Sequence, residues 1–313
     1  MVRRLRRAQV RRVASQRSLS QWSCYIDINR RNWPGKTTLL QISSLMATVP
    51  LRVLPTPEAI GEELADRILQ RIEEARVAGR PFVLGSPTGR TPRPIYAAMA
   101  RRLAAHPQDL AHVTVVMMDE YLVPVANGLA YAPAEESWSC HYFARVEIAA
   151  PLNAVLRPEH RLNDTRFWFP TPNEPDAYDD RISDAGGIDL FLLASGASDG
   201  HVAFNPPGSP RESRTRVIPL SEVTRRDNLR TFPAFGSLDR VPRHGVSVGI
   251  ATIVSAREAL MVVWGSGKGL TLSRMLAAER YRPDWPATLV HECGRGEIIA
   301  DEAAASASRK ASV

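Results

Sequence analysis

The sequence predicts an α/β protein with a doubly wound, mostly parallel sheet and helices on both faces. Five apolar runs alternate with segments of helical periodicity, as expected for parallel strands joined by crossover helices. Four of these runs, at residues 83–84, 113–118, 188–194 and 259–264, end in a polar motif. Because the carboxyl ends of parallel strands lie at one edge of a sheet, we expect the four motifs to meet there.

Composition divides the chain into three segments. Residues 1–45 are rich in arginine and serine, and are predicted to be a basic, disordered extension or the result of a mis-assigned start, with a targeting peptide as the alternative. Residues 46–302 are predicted to form a single α/β domain. Residues 303–313 are predicted to be a flexible tail.

The net charge of +7 is concentrated near the amino terminus. Residues 1–50 hold nine arginines and one lysine against one acid, so the rest of the chain is close to neutral. A nucleic-acid partner would need a basic face on the folded domain, and we expect none. No apolar run approaches the ~18 residues of a membrane span, so a membrane partner is not expected either.

The cysteines and histidines indicate a reducing, cytoplasmic compartment and no metal site. Cys24, Cys140 and Cys293 are odd in number and far apart, which predicts free thiols. The seven histidines are scattered, and none pairs with another at metal-ligand spacing. We therefore expect neither a metal ion nor another cofactor.

The first regular elements begin after Met46. Residues 51–54 are a strand candidate, and Thr56 followed by Pro57 is a typical start of a helix. That helix has a buried stripe at every fourth position and ends at Gly79; the stripe is Ile60, Leu64, Ile68 and Ile72. The next strand, at residues 81–84, leads into small and hydroxyl residues at 85–92 before another helix. Free N–H groups at such a helix start favour an anion, although an ordinary turn capped by Thr91 is the alternative.

The apolar run 113–118 ends at two adjacent acids, Asp119 and Glu120. Two neighbouring carboxylates are costly to bury, so we expect one to act as a base and the other as a structural hydrogen-bond acceptor. A solvated loop end is the alternative. Residues 122–136 are predicted to be a loop, and residues 137–143 a helix whose aromatic rings pack in the core.

The run that ends near residue 194 is followed by Asp199, Gly200 and His201. An acid and an imidazole on a tight loop at the end of a buried strand indicate a reactive site, with a capping Asp and a surface His as the alternative. Residues 205–210 are too rich in proline for a helix or a central strand.

The carboxyl-terminal half holds further cations next to predicted strands. Residues 214–230 are basic, residues 246–253 alternate like a strand, and the run 259–264 leads into Gly265–Lys268 and a helix. Late strand candidates are Val290 and residues 298–299. The assembled motifs predict a site for a small phosphorylated molecule that undergoes proton transfer.

The motifs resemble those of the glucosamine-6-phosphate deaminase/isomerase family, which is related to the 6-phosphogluconolactonases. The resemblance covers roughly Met46 to Asp301. The matching stretches occur in family order, and they are residues 84–92, 118–121, 199–205, 213–216 and 265–268. The fold it implies is a Rossmann-like sheet of the deaminase/isomerase type.

The resemblance implies a role for each matching residue. Asp119 would move the proton between C2 and C1 of the open-chain sugar, and His201, held by Asp199, would serve the ring oxygen in ring opening. The implied activity is deamination with hydrolysis of a C–N bond, without a metal. The implied phosphate cradle consists of Ser86, Thr88, Gly89, Arg90, Thr91, Arg230 and Lys268.

Three positions depart from the family pattern. Pro206 occupies the position of a glutamate that supports the histidine during ring opening. Arg90 replaces a glycine of the phosphate cradle. Ile218 replaces a lysine that serves regulation by an acetylated sugar phosphate, so we do not expect that regulation here.

Two other functions remain open from the sequence. One is a lactonase in which His201 activates water, although the residues after His201 favour the isomerase branch. The other is a non-catalytic protein that binds a sugar phosphate. The sequence leaves the oligomeric state open, and a homo-oligomer is one of the states it allows.

Overall fold

The computed structural model describes residues 49–311. The predicted extension at residues 1–45 lies outside the described residues, and the described residues belong to one compact unit. Their strands are β1 (Leu51–Leu54), β2 (Phe82–Ser86), β3 (Val113–Met117), β4 (Asp119–Val125), β5 (Gly128–Tyr131), β6 (Phe167–Trp168), β7 (Leu190–Leu193), β8 (Arg216–Pro219), β9 (His244–Ser247), β10 (Ala259–Val263) and β11 (Gly296–Asp301).

The helices occupy the segments between these strands. In chain order they are α1 (Pro57–Val77), α2 (Arg93–Ala105), α3 (Cys140–Tyr142), α4 (Ala150–Ala154), α5 (Asp176–Asp184), α6 (Glu222–Thr231), α7 (Ile250–Val254), α8 (Gly269–Leu276) and α9 (Glu302–Ala311). A π-helical segment, Phe143–Ala149, joins α3 to α4. Thr56 caps α1 through a side-chain bond from the Ala59 N–H, as predicted.

The predicted parallel sheet is confirmed. Seven strands pair in the order β1-β11-β10-β7-β2-β3-β6, all in parallel. Neighbouring residues of one strand pack into different clusters: Leu84 contributes to a core with α1 and α2, and Val83 to a core with α5, α8 and α9. Helices therefore cover both faces, which explains why the strands read as continuous apolar runs.

The chain order reverses between β2 and β7. From β2 the chain proceeds to β3 and β6 on one side, and from β7 to β10 and β11 on the other. In open α/β sheets, the crevice at such a reversal is where ligands bind, beyond the carboxyl ends of the strands. The loops after Ser86 and Leu193 leave the sheet at this point.

A second, antiparallel sheet was not predicted. Its order is β5-β4-β9-β8, and β4 and β5 form a hairpin within residues 122–136, so the prediction of a loop there was wrong. The proline-rich composition misled because Pro124 lies beyond Leu122, where β4 still pairs with β5 but no longer with β9. An aromatic cluster of Tyr121, Trp138, Phe204 and Phe235 packs under this sheet.

The single strand predicted at residues 246–253 was also wrong. Strand β9 ends at Ser247, and α7 begins at Ile250. A Cβ on Gly249 would lie 1.9 Å from the Ser213 carbonyl oxygen, and the Ile250 N–H donates to the Ser213 hydroxyl. This close approach of two backbones stops the strand. Val290, another strand candidate, lies in a 3-10 helix.

The predicted flexible tail at residues 303–313 is instead largely the helix α9. The Asp301 carboxylate caps it by accepting from the Ala304 N–H at 2.7 Å. Ala304, Ala305 and Ser308 are buried, and Ala307 lies against Gly269 of α8. Small residues at the end of the chain therefore permit close packing. Among residues 49–311, no helix is long and apolar enough to cross a membrane.

Candidate active site

One cavity lies beyond the carboxyl ends of the parallel strands, and three of the four predicted loops line it together with Asp119 at the start of β4. Its walls come from residues 87–91 after β2, from Ala194, Ser195 and His201 after β7, and from Trp264 and Lys268 after β10. Only Met118 separates β3 from β4, so Asp119 lies where the chain passes from one sheet into the other. The predicted convergence of the motifs is therefore present.

The loop at residues 87–91 forms the anion-binding side of the cavity. Gly89 has a φ of +83°, a backbone conformation that side chains rarely adopt. The loop leads into α2, and the positive end of this helix dipole favours an anion beside the loop. The first turn of α2 itself has no free N–H group, because Arg93 and Ile95 donate to the Arg90 and Pro92 carbonyl oxygens and prolines occupy positions 92 and 94. The Arg90 guanidinium lines the cavity and forms no hydrogen bond or ion pair with any residue between 49 and 311. The departure from glycine thus adds a cation that remains available to a ligand.

Lys268 faces this loop from the other side of the cavity. Its ammonium group donates to the Ser195 carbonyl oxygen. Burial lowers the pKa of Lys268 to about 8, with a further lowering by Arg90, while the charges of Asp227 and Asp199 act in the opposite direction. A lysine that loses its proton this easily makes anion binding sensitive to pH.

Asp119 is buried and carries little hydrogen bonding. Its relative exposure is 5%, and the single side-chain hydrogen bond found for it within the described residues comes from the Cys140 thiol at 3.3 Å. Burial raises the pKa of Asp119 to about 7; the Cys140 hydrogen bond opposes this rise, Glu120 adds to it and His201 opposes it. A carboxyl group with a pKa near neutrality is suited to accept and return a proton.

The neighbouring Glu120 is the structural acceptor that the sequence predicted. It is fully buried, and its two oxygens accept from the Ser139 hydroxyl, from three backbone N–H groups and from the imidazole of His141 at 2.6 Å. These donors offset the cost of burying the charge. The His141 ring in turn stacks on Phe169 at 3.6 Å between centroids.

Asp199 and His201 form a buried pair beside Asp119 in the cavity. Asp199 Oδ1 accepts from His201 Nδ1 at 2.6 Å, and the His201 ring lines the cavity. Burial alone would raise the pKa of Asp199, but the hydrogen bond and charge of His201 outweigh it and leave that pKa lowered. An ionised Asp199 accepts only, so Nδ1 carries a proton and Nε2 is left to exchange protons with a ligand.

Two residues predicted for the phosphate cradle lie elsewhere. Ser86 is fully buried behind the loop, and its hydroxyl contacts the Tyr96 hydroxyl at 2.6 Å. Arg230 has a 70% exposed side chain that pairs with Asp227. The reason is the helical period: α6 turns Thr224, Asn228 and Thr231 inward, and Arg230 is outside that stripe.

Asn228 and Ser195 are cavity residues that the sequence analysis missed. The Asn228 Nδ2 and Ser195 Oγ atoms are buried and have no hydrogen-bond partner among residues 49–311. Buried polar atoms are nearly always paired, so two unpaired ones in a cavity mark positions for ligand hydrogen bonds. The inward stripe of α6 is the signal that could have identified Asn228 instead of Arg230.

Asp227 adds a second carboxylate near the imidazole. One oxygen each of Asp199 and Asp227 and one ring nitrogen of His201 all lie within 4.8 Å of one another. Asp227 is held in place by the Ser198 hydroxyl at 2.8 Å and the Ser198 N–H at 3.2 Å. This set has the donor types of a cation site, and the expectation of a metal-free site stays a prediction.

Fold and site together define an α/β protein with an anion-binding loop and a proton-transfer group at the reversal of its sheet. A family model described as glucosamine-6-phosphate isomerases/6-phosphogluconolactonase matches residues 55–300. The chain belongs to this family, as its motifs predicted.

Individual relatives agree with this placement. The glucosamine-6-phosphate deaminase of Rhodococcus opacus is 36% identical over 253 residues, covering 80% of this chain and 89% of the relative. That of Shouchella clausii is 32% identical over 249 residues, covering 80% and 93%.

Solved structures show the same fold. The structure of a monomeric glucosamine-6-phosphate deaminase matches with a TM-score of 0.69 and 27% identity, covering 82% of this chain and 99% of the other. A 6-phosphogluconolactonase from Trypanosoma brucei shares the fold, with a TM-score of 0.55 and 19% identity over 82% of this chain and 98% of the other.

Proposed function

We propose that the protein is a deaminase of the glucosamine 6-phosphate type, an enzyme that isomerises an amino sugar phosphate and releases ammonia. The observation that carries the proposal is that Asp119 and His201 line the same cavity as the anion-binding loop and Lys268. The relatives named glucosamine-6-phosphate deaminase support the choice of substrate.

The phosphate of the substrate binds between the loop and Lys268. Residues Thr88, Gly89, Arg90 and Thr91 line this side of the cavity, and Arg90 adds an unpaired guanidinium. Asn228 Nδ2 is the further donor from α6. A bound phosphate holds the sugar carbons next to the two proton-transfer groups, Asp119 and His201. The binding energy is thereby used to orient the reacting atoms.

His201 opens the sugar ring, and Asp119 moves the proton. His201 Nε2 gives a proton to the ring oxygen and takes up the proton that leaves the C1 hydroxyl, which gives the open-chain aldehyde. Asp119 then takes the proton from C2 and returns it to C1, while a proton passes from the C2 amine to the C1 oxygen, so that C1 becomes a CH₂OH group and C2 an imine. Water adds to that imine and releases ammonia, leaving a ketose phosphate. Ring opening and isomerisation are proton transfers, which an imidazole and a carboxylate can carry out.

Asp227 is the carboxylate that supports His201 in this chain. Pro206 has no side chain that can accept a hydrogen bond, so the family's supporting acid is missing. Asp227 brings a negative charge within 4.8 Å of the Asp199–His201 pair from α6. A carboxylate this close to the pair offers the hydrogen-bond acceptor that Pro206 lacks.

The purified protein tests the proposal directly. With glucosamine 6-phosphate we expect equal amounts of ammonia and fructose 6-phosphate, measured by two coupled assays. Hydrolysis of 6-phosphogluconolactone, measured above its spontaneous rate, is the comparison. Lactone hydrolysis without ammonia release, or tight sugar-phosphate binding without any turnover, would contradict the proposal.

The pKa values of Asp119 and Lys268 predict a narrow pH optimum. Asp119 has to be ionised, so kcat/KM falls as the pH drops below about 7. Lys268 has to be protonated, so phosphate binding weakens as the pH rises above about 8. The predicted maximum of kcat/KM therefore lies between these two values.

A lysine-to-arginine variant separates the acid limb of the pH profile of kcat/KM from its alkaline limb. Lys268→Arg keeps its charge at all assay pH values, so its alkaline limb is expected to move to higher pH while the acid limb stays. An alkaline limb that is unchanged in Lys268→Arg would show that another group causes it.

Gly196→Ala is predicted to disable ring opening by moving the acid–imidazole pair. An added Cβ would lie 2.3 Å from His201 Nδ1 and 2.7 Å from Asp199 Oδ1. We expect kcat to fall about 10- to 100-fold, as for the loss of an orienting hydrogen bond. Gly294→Ala is the control, because its Cβ would meet no atom within 4 Å and Gly294 lies outside the site. Equal kcat values for the two variants would contradict the prediction.

The cellular compartment and the oligomeric state of the enzyme are also part of the proposal. We propose a cytoplasmic enzyme, on the support of Cys140 and Cys293, which are both free thiols in the described part of the chain. Homo-oligomer formation stays a prediction, and light scattering after gel filtration measures it.

A further inference from the structure

Cys140 lies against the carboxylate that the proposed reaction uses as its base. It begins α3, where the Ser139 side chain caps the helix, and its relative exposure is 1%. The sulfur is 3.3 Å from Asp119 Oδ1 and 3.8 Å from the Thr88 hydroxyl oxygen. The thiol therefore connects the base with the anion-binding loop.

The thiol acts as a hydrogen-bond donor. Burial, with the charges of Glu120 and Asp119, raises the pKa of Cys140 well above its usual range, so the group stays protonated. A neutral thiol can give its hydrogen to the ionised Asp119, whereas a thiolate would repel it. The contact with Thr88, at 3.8 Å, is longer than the one with Asp119, at 3.3 Å.

No other described side chain fixes the orientation of the Asp119 carboxylate. Glu120, the next residue, directs its oxygens toward Ser139 and His141 instead. With Oδ1 held by the thiol, the second oxygen of Asp119 is left for the substrate carbon. Proton transfer between two neighbouring carbons needs one oxygen to stay in place over both, so the orientation of this group affects the rate.

We propose that Cys140 is a positioning residue: its S–H group holds the Asp119 carboxylate in the orientation that relays the proton. The proposal rests on the proposed function for its kinetic consequences and on the Cys140–Asp119 contact for its geometry. It assigns the thiol no nucleophilic or redox step, and no covalent bond to it forms or breaks.

The effect on pH dependence follows from the groups that face Asp119. Burial raises the pKa of Asp119, the Cys140 hydrogen bond lowers it, Glu120 raises it and His201 lowers it. Removing the thiol leaves burial and Glu120 opposed by His201 alone. The pKa of Asp119 therefore rises above about 7, and less of the base is ionised at neutral pH.

The kinetic test compares three cysteine variants of the full chain. For Cys140→Ala we expect the acid limb of kcat/KM to move to higher pH and kcat at pH 7 to fall by about tenfold, with little change in KM. Cys140→Ser keeps a donor at this position and should recover part of both effects. Cys293→Ala removes a buried thiol that contacts the Leu289 carbonyl oxygen, away from the site, and should leave the acid limb unchanged. An acid limb that is the same in Cys140→Ala and in the unaltered protein overturns the proposal.

Infrared spectroscopy tests the contact without any turnover. The S–H stretching band of Cys140, identified by its loss in Cys140→Ser, should shift as Asp119 ionises near pH 7 and should lose that shift in Asp119→Asn. A band that ignores pH and the Asp119→Asn change overturns the proposal, even if the protein is active. A responsive band in a protein that does not deaminate glucosamine 6-phosphate supports the contact and contradicts the proposed function.

Discussion

Replacing Asp119 with asparagine is expected to reduce kcat for glucosamine 6-phosphate by about 10²- to 10⁴-fold, the range that a general base contributes. An amide has nearly the shape of the carboxylate but cannot take a proton from C2. Because Asp119 is not one of the groups proposed to hold the phosphate, KM should change little. Ammonia release by the variant over a range of substrate concentrations measures both constants.

The same variant should be more stable than the unaltered protein at neutral pH. Burial raises the pKa of Asp119 from 3.8 to about 7, so ionising it costs stability progressively as the pH rises between these values. Asparagine removes that cost, and the melting temperature at pH 8 should increase. Asp239→Asn, which removes an exposed acid outside the site, should change neither kcat nor the melting temperature. An inactive variant that is also less stable would point to misfolding rather than to a lost base.

Replacing Asp199 with asparagine is expected to reduce kcat by a similar factor, about 10²- to 10⁴-fold, for a different reason. The 2.6 Å bond to His201 Nδ1 keeps the proton on that nitrogen and directs Nε2 to the cavity. An asparagine can present its NH₂ group instead and reverse the tautomer, and it no longer stabilises a charged imidazole. The measurement is kcat for the cyclic amino sugar phosphate at the pH optimum.

Asp227→Asn provides the contrast to Asp199→Asn. Asp227 lies close to the Asp199–His201 pair but accepts its hydrogen bond from Ser198. We therefore expect a smaller loss of kcat, about tenfold. Pro206→Glu, which returns a carboxylate to the family position, should restore part of the loss when added to Asp227→Asn. Ser198→Ala removes only the hydroxyl that tethers Asp227, and it should lower kcat less than Asp227→Asn does. If Ser198→Ala matched Asp227→Asn, the tether rather than the charge would explain the result.

Asp119 and Glu120 are adjacent in sequence, but they differ in their hydrogen-bond donors, and Cys140 is the donor to Asp119. Because β4 starts immediately after Met118, two adjacent carboxylates enter the interior together. At the start of α3, backbone N–H groups, together with the Ser139 and His141 side chains, donate to Glu120. The Cys140 thiol donates to Asp119. Glu120 is therefore surrounded by hydrogen-bond donors, whereas Asp119 has few of them and burial raises its pKa to about 7.

Patterns that depend on neighbours along the chain predicted correctly. The apolar runs and the capped helix at Thr56 gave the parallel sheet, and the polar motifs after four runs placed Asp119, His201 and Lys268 on one edge. These features follow from strand and helix periods and from the rule that parallel strands end on the same side. The departure at Pro206 was also readable, because it concerns a single position in a recognised motif.

Features that depend on partners distant in sequence were not predicted. The antiparallel sheet unites residues 119–131 with residues 216–247, and α9 is ordered by its packing against Gly269. Arg230 was assigned to the cradle from the family resemblance, yet its angular position on α6 exposes it, and Asn228 faces the cavity in its place.

By itself, the sequence determined the fold class, the edge of the sheet that carries the chemistry and the residue types available there. Only the tertiary structure decided which adjacent acid is free, which donor holds it and which carboxylate lies near the imidazole. The physical reason is that protonation and orientation depend on burial and on hydrogen-bond partners. In this protein those partners are brought together from strands, helices and loops that are far apart along the chain.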